Sequence, residues 1–296
     1  MHPIKQIDKI ILIFGNGYVA SFLAQELNKL GWIIYCTSRK VDSENLNKGA
    51  NINLINFLDP NLPEIIKLSK VILSTVPPYN DILDPVLQKY FNSIVKQEFK
   101  WVGYLSATSV YGDHSGNWVN EQTKCCPSNE KSKIRLLAEQ QWLELYSNHQ
   151  LPVHIFRLSG IYGPNRNCLE KIEDGKNFTI LKDNHFFSRI HVLDICKAII
   201  ASINTPTAGE IYNVSDDEPA PIHVIEQFGA FLLNKDNLKE IRVEDAGLSN
   251  RQLNFFNNNK KISNQKIKTK LNIKWDYPNY KIGLQELLNL KTKEDQ

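Results

Sequence analysis

Gly15, Gly17 and Ala20 have the spacing of a turn that could cradle phosphate. Gly15 permits the tight turn, Gly17 lets backbone approach a pyrophosphate, and Ala20 lets the following helix pack closely. The amides and the positive dipole end of such a helix complete an anion site, shared by Asn16, Tyr18 and Val19. A second group, Ser106-Ala107-Thr108-Ser109-Val110-Tyr111-Gly112-Asp113, gathers hydroxyls that could orient a substrate or carry a proton. Each group has a plainer alternative: an ordinary strand-to-helix turn for the first, hydroxyls capping backbone groups for the second.

Both groups sit where a parallel sheet would put them. Ile10 to Phe14 is a short, β-branched apolar run, as in a strand buried on both faces, and it leads directly into Gly15. Val19, Leu23, Leu27 and Leu30 then follow helical spacing to Gly31. Further strands are expected at Trp32 to Cys36, Ile52 to Phe57, Val71 to Val76, Trp101 to Leu105 and Val153 to Leu158. Helices are expected from Ile82 to Val95 and from Ile134 to Tyr146. This alternation predicts a Rossmann-type α/β fold, a doubly wound parallel sheet with helices on both faces.

Ligands of such sheets bind at the strand C-terminal ends. Thr75 and the turn through Val76 and Pro77 are therefore candidates, as are Asp59 at the close of the third strand, Ser106, and Gly160 and Ile161 after the sixth. The second strand ends in Ser38 and Arg39, with Asp42 and Glu44 further on. An arginine here suits a 2′-phosphate and favours NADP; an acidic residue would favour NAD, which remains the alternative. After Gly160 the pattern breaks into short β-like stretches, a helix expected to open at Ser188 and run to about Ile203, and a strand at Glu210 to Val214. The division expected is an NAD(P)-binding domain over 1–160 and a smaller C-terminal substrate lobe over 161–296, with about 188–214 returning to the sheet.

Thirty-five basic and 32 acidic residues give a net charge of +3, too balanced to suggest nucleic acid. Five cysteines with no metal-ligand spacing point to reduced thiols in a cytoplasmic protein, and the histidines show no metal-ligand spacing either. No stretch is long and apolar enough for a membrane span.

The order of motifs resembles the short-chain dehydrogenase/reductase superfamily, in its extended and atypical branch of nucleoside-diphosphate-sugar epimerases and dehydratases. The stretches that carry the likeness are Gly15 to Ala20, Ser106 to Asp113, Arg157 to Pro164, Arg189 to Ile195 and Tyr212 to Pro219. The resemblance implies NAD(P), a small or nucleotide-sugar-like substrate and oxidoreductase or epimerase chemistry, and it admits a homodimer. It also implies a Ser or Thr and a Tyr-x-x-x-Lys pair. On the helix expected after the fifth strand no tyrosine is followed four residues later by lysine; the one such spacing in the chain, Tyr277 with Lys281, lies far beyond it. Alignment on Ala138-Glu139 puts Lys131 at the tyrosine's place and Arg135 at the lysine's, and Ala107 falls at the usual hydroxyl position.

The catalytic candidates are then Thr108 as an orienting hydroxyl, Tyr111 as an acid unless it packs beneath its loop, Lys131 as an acid or base unless solvated, and Arg135 as the cation at the nicotinamide ribose. Arginine keeps the charge but hardly deprotonates. Two functions fit: an NAD(P)-dependent enzyme with an atypical site, or a catalytically silent NADP-binding sensor or scaffold.

Overall fold

The computed structural model describes residues 9–40, 51–79 and 84–294. Asp42, Glu44 and the first residues of the helix expected from Ile82 lie outside them. The chain divides into two compact units. The first comprises Met1–Ala107, Asn129–Arg157 and Ile195–Tyr212; the second comprises Thr108–Ser128, Leu158–Asp194 and Asn213–Gln296.

The first unit is built on the seven-stranded sheet. Its strands in chain order are β1 (Ile10–Phe14), β2 (Ile33–Ser38), β3 (Ile52–Asn56), β4 (Val71–Ser74), β5 (Trp101–Ala107), β7 (Val153–Leu158) and β11 (Ile211–Val214), and the spatial order is β11-β7-β5-β4-β1-β2-β3. A two-residue β6 (Trp118–Val119) intervenes in the chain and belongs elsewhere. The pairings β3–β2, β2–β1, β1–β4 and β4–β5 are parallel, with Phe14 opposite Ser74. Strand order reverses between β1 and β4, the switch point where open α/β sheets leave a crevice.

Helices α1 (Tyr18–Lys29), α2 (Leu62–Leu68), α3 (Pro85–Ile94) and α4 (Glu130–His149) follow these strands. Strand side chains alternate between faces. Leu12 and Phe14 thus join Ile66 of α2, Val86 and Tyr90 of α3 and Ala138 and Trp142 of α4 in one core, with all seven buried. Proline ends β4 early: Pro77-Pro78 follows it, and the strand stops at Ser74 rather than Val76. Helix α4 starts four residues before the expected Ile134 because Asn129 caps it, its side chain accepting from Ser132 N at 3.0 Å. Strand β5 runs on through Ala107, so Ser106 is a strand residue rather than part of a turn.

The second unit holds three two-stranded parallel sheets. They pair β8 (Gly160–Tyr162) with β10 (Arg189–His191), β9 (Phe178–Leu181) with β12 (Lys239–Arg242), and β6 with β13 (Lys261–Ile262). The helix expected from Ser188 is therefore replaced at first by β10, whose backbone is satisfied by β8; α6 (Val192–Asn204) begins only afterwards. Between β8 and β9 lies α5 (Cys168–Glu173), and later come α7 (Ile222–Leu232), α8 (Asn250–Phe256), α9 (Gln265–Lys270) and α10 (Tyr280–Glu294). Tyr162, Leu169, Ile225, Tyr280, Leu284 and Leu287 form the buried centre of this unit.

Candidate functional site

In the first unit three strand ends are tied together at the switch point. Gly15 leaves β1 with φ +109°, and a Cβ there would lie 2.3 Å from Thr75 Oγ1, so only glycine fits. Gly15 N donates to Thr37 Oγ1 at 2.9 Å. Thr75 donates twice to the Phe14 carbonyl, from N at 2.9 Å and from Oγ1 at 3.0 Å. Gly17 is the N-cap of α1; no side chain caps it, and a Cβ built on it meets no protein atom within 4 Å. An uncapped helix start beside a glycine with open space is the shape a pyrophosphate needs.

The other cofactor candidates fall around this turn or on neighbouring strand ends. Asn16 and Tyr18 are half-buried and Val19 is buried. Ser38 is half-buried and Arg39 exposed at the end of β2. Asp59 accepts from Asn61 N at 2.8 Å in the turn leading to α2. Val76 is half-buried and Pro77 exposed just after Thr75.

Strand β5 and helix α4 carry the positions of the altered catalytic pair. Arg135 is half-buried, and its Nη1 donates to the Leu105 carbonyl at 3.2 Å and to the Tyr104 hydroxyl at 3.4 Å. Lys131, one turn earlier, is exposed. Ser106 is buried and its hydroxyl donates to Glu139 Oε2 at 2.7 Å. Arg157 grips the same carboxylate through Nε, at 3.1 and 3.2 Å, and through Nη2. All three residues are nearly inaccessible, so this is a buried ion pair that bolts β5, α4 and β7 together. Ser106 is occupied by that role.

In the second unit, Thr108 opens the short 3-10 turn Thr108–Tyr111; it is half-buried and its hydroxyl makes no hydrogen bond among the described residues. Tyr111 is fully buried and donates to Asn213 Oδ1 at 2.8 Å, while Asn213 N donates to Glu121 Oε1. Of the two roles open to Tyr111, the packed one is what its surroundings provide. Gly112 has φ +75° and packs so tightly that a Cβ would strike the Cys126 carbonyl oxygen at 1.8 Å. Lys260 Nζ donates to the Gly112 carbonyl at 2.9 Å, and burial pushes its pKa down to about 8. Gly160 is exposed and Ile161 half-buried on β8, where Gly160 N donates to the Ser188 carbonyl. Asp194 accepts from Asp276 N and Tyr277 N at 2.8 and 2.9 Å, and the His191 ring is buried against Tyr162 and Tyr277. Both are structural ties of this unit.

Several of these roles have no local signal in the chain. Thr37 and Thr75 meet partners 22 and 61 residues away, and Glu139 and Ser106 are 33 apart. All five cysteines are free. Among the described residues no group of three or more His, Cys, Asp or Glu could hold a metal ion, and no helix is long and apolar enough to cross a membrane.

The model of the NAD dependent epimerase/dehydratase family matches residues 88–215. A functionally unknown conserved protein from Silicibacter pomeroyi DSS is 36% identical and superposes with a TM-score of 0.88, covering 95% of this chain and 98% of that one. The NAD complex of UDP-glucuronic acid 4-epimerase from Bacillus cereus superposes with a TM-score of 0.77 at 18% identity, over 97% of this chain and 100% of that one. Protein YeeZ of Escherichia coli (strain K12) is 27% identical over 232 residues, 73% of this chain and 79% of that protein.

Proposed function

This chain belongs to the NAD-dependent epimerase/dehydratase family, and on that premise we propose that it binds NAD(P), with NADP preferred, and acts on a small, nucleotide-sugar-like substrate as an oxidoreductase or epimerase with an atypical site. The observation that carries this reading is the turn from Gly15 to Val19, with open space beside Gly17 and an uncapped helix start. In this reading Gly15, Asn16, Gly17, Tyr18 and Val19 hold the pyrophosphate. Ser38 and Arg39 meet the adenosine ribose and its 2′-phosphate, and Asp59, Thr75, Val76, Pro77, Gly160 and Ile161 border the cofactor. When bound, the nicotinamide supplies hydride transfer. Arg135 holds the nicotinamide ribose by charge and hydrogen bonding. Thr108, whose hydroxyl has no protein partner among the described residues, orients the reacting oxygen.

A second reading is a silent NADP-binding sensor or scaffold. It is favoured by the engagement of Tyr111 with Asn213 and of Ser106 with Glu139, and by the exposure of Lys131. The two part on one experiment: purified protein incubated with NADP or NAD and a panel of UDP- and dTDP-sugars, read by nicotinamide absorbance and by product chromatography. Turnover that is lost in Thr108→Val supports the enzyme. Cofactor binding without conversion of any sugar nucleotide supports the sensor.

A further inference from the structure

The five thiols are not equivalent. Cys36 lies in β2 and Cys196 in α6, both buried, and burial pushes the Cys36 thiol up to about 12. Cys168 opens α5 and is wedged against α7: a Cβ on Gly229 would come to 3.0 Å from its Sγ, and burial raises its pKa to about 11. The thiolate is the reactive form of cysteine, so burial keeps these three quiet. Cys125 and Cys126 differ. They are consecutive, Cys126 is exposed and Cys125 half-buried, and neither is in a disulfide.

The loop that carries the pair is fastened at both ends and in its middle. At one end Thr123 N donates to the Asn120 carbonyl at 3.0 Å; at the other, Ser128 Oγ donates to Asn258 Oδ1 at 2.8 Å. In the middle, Cys126 N donates to the Tyr111 carbonyl at 3.2 Å, and the Cys126 carbonyl packs against Gly112. The amide shared by the two cysteines therefore holds the end of the Thr108–Tyr111 turn. His114 Nε2 lies 3.0 Å from the same Tyr111 carbonyl.

Neighbouring Cα atoms are about 3.8 Å apart across a trans peptide, whereas disulfides usually span about 4.4–6.8 Å between Cα atoms. A bond between Cys125 and Cys126 is strained by this mismatch. Strained, exposed disulfides are the labile ones, made and broken reversibly rather than kept to hold a fold.

We propose that Cys125 and Cys126 form a redox modification site, oxidised by a low-molecular-weight disulfide such as glutathione disulfide to a bond between their own sulfurs, and that this bond draws the Cys126 amide away from the Tyr111 carbonyl. This holds whichever nucleotide the chain takes, and whether or not it is an enzyme. In the first step the exposed Cys126 thiolate attacks one sulfur of the oxidant; a mixed disulfide forms and one glutathione leaves as its thiol. In the second the Cys125 thiolate attacks Cys126 Sγ, the internal bond forms and the other glutathione leaves. The two electrons and two thiol protons of the pair end on the two glutathiones. Closing so small a ring turns the amide it contains, and the turn that carries Thr108 keeps only His114 at the Tyr111 carbonyl.

The test incubates the full chain with glutathione disulfide, follows it by intact mass and peptide mapping, and measures amide hydrogen exchange before and after. The expected product is lighter by two hydrogens, with the loss mapped to one peptide holding both cysteines, and dithiothreitol restores the starting mass. Exchange at the Cys126 amide is expected to rise about ten-fold on oxidation, the worth of one lost backbone hydrogen bond. Cys125→Ser is expected to stop at a glutathione adduct on Cys126, and Cys126→Ser to form no internal bond. A wild type that keeps the glutathione adduct without closing, that links two chains through Cys126, or that is not oxidised at all overturns the site. A loss of two hydrogens that persists in either serine variant assigns the bond to other cysteines and overturns it as well. Closure of the bond with unchanged exchange at Cys126 overturns the coupling to the Tyr111 carbonyl.

Discussion

At the scale of single residues, the glycine turn was legible because its signal is short-range: strand, Gly-x-Gly-x-x-Ala and helix all fall within Ile10–Lys29. What fastens the turn was not legible, because Thr37 and Thr75 come from other strands. Gly15→Ala would force a side chain into φ +109° and onto Thr75 Oγ1. It is expected to cost about 1–3 kcal/mol in a denaturant melt. The cofactor choice rests on Arg39, exposed at the end of β2. Arg39→Ala is expected to lose about 1.5–3 kcal/mol toward NADP, the size of a charged hydrogen bond, and little toward NAD. Equal losses for both, or a wild type that prefers NAD, would show that this arginine does not read the 2′-phosphate.

At the scale of elements, strands and helices of the first unit follow apolar periodicity, and their ends follow caps and prolines that the pattern hides. Asn129 starts α4 early, and that leaves Lys131 on an exposed first turn while Arg135, one turn on, reaches β5. Sequence alone could place both at the altered pair but could not say which of them faces the sheet. The segment from Ser188 misled because Arg189 to His191 has no pattern that separates a short strand from a helix start; pairing with β8 decides it. The joint of β5, α4 and β7 is the Glu139–Arg157 pair with Ser106. Glu139→Gln leaves a buried guanidinium uncompensated and is expected to destabilise by about 3–5 kcal/mol. A denaturation midpoint within error of wild type would show that the pair holds nothing.

At the scale of the whole molecule, buried titratable groups tie stability to pH. Burial lowers the pKa of His154, His185 and His191 to about 4, so all three fold neutral. Their folded pKa lies below the ordinary histidine value, so their contribution is complete above about 6.5 and is lost as pH falls toward 4. Asp84 and Asp216 run the other way: burial raises them, so the stability they give is present at low pH and lost as pH rises through their folded values. His185 isolates the histidine effect. Both its ring nitrogens are buried without a hydrogen bond, and the ring lies against Phe187 and Phe256. His185→Phe is expected to raise the thermal midpoint at pH 8 and to raise it more at pH 5, because the variant has no proton to take up on unfolding. Equal gains at both pH values would contradict the linkage. The central claim, that this molecule is built to hold a dinucleotide at the turn after β1, is tested most directly by calorimetric titration of wild type and Gly17→Val with NADP and NAD. Gly17 has φ −84°, which valine tolerates, so the fold is expected to survive while the new side chain fills the space beside the helix start. Saturable binding of one nucleotide per chain, abolished in Gly17→Val, is the expected result; undiminished affinity in that variant, or no binding by wild type, would contradict the account.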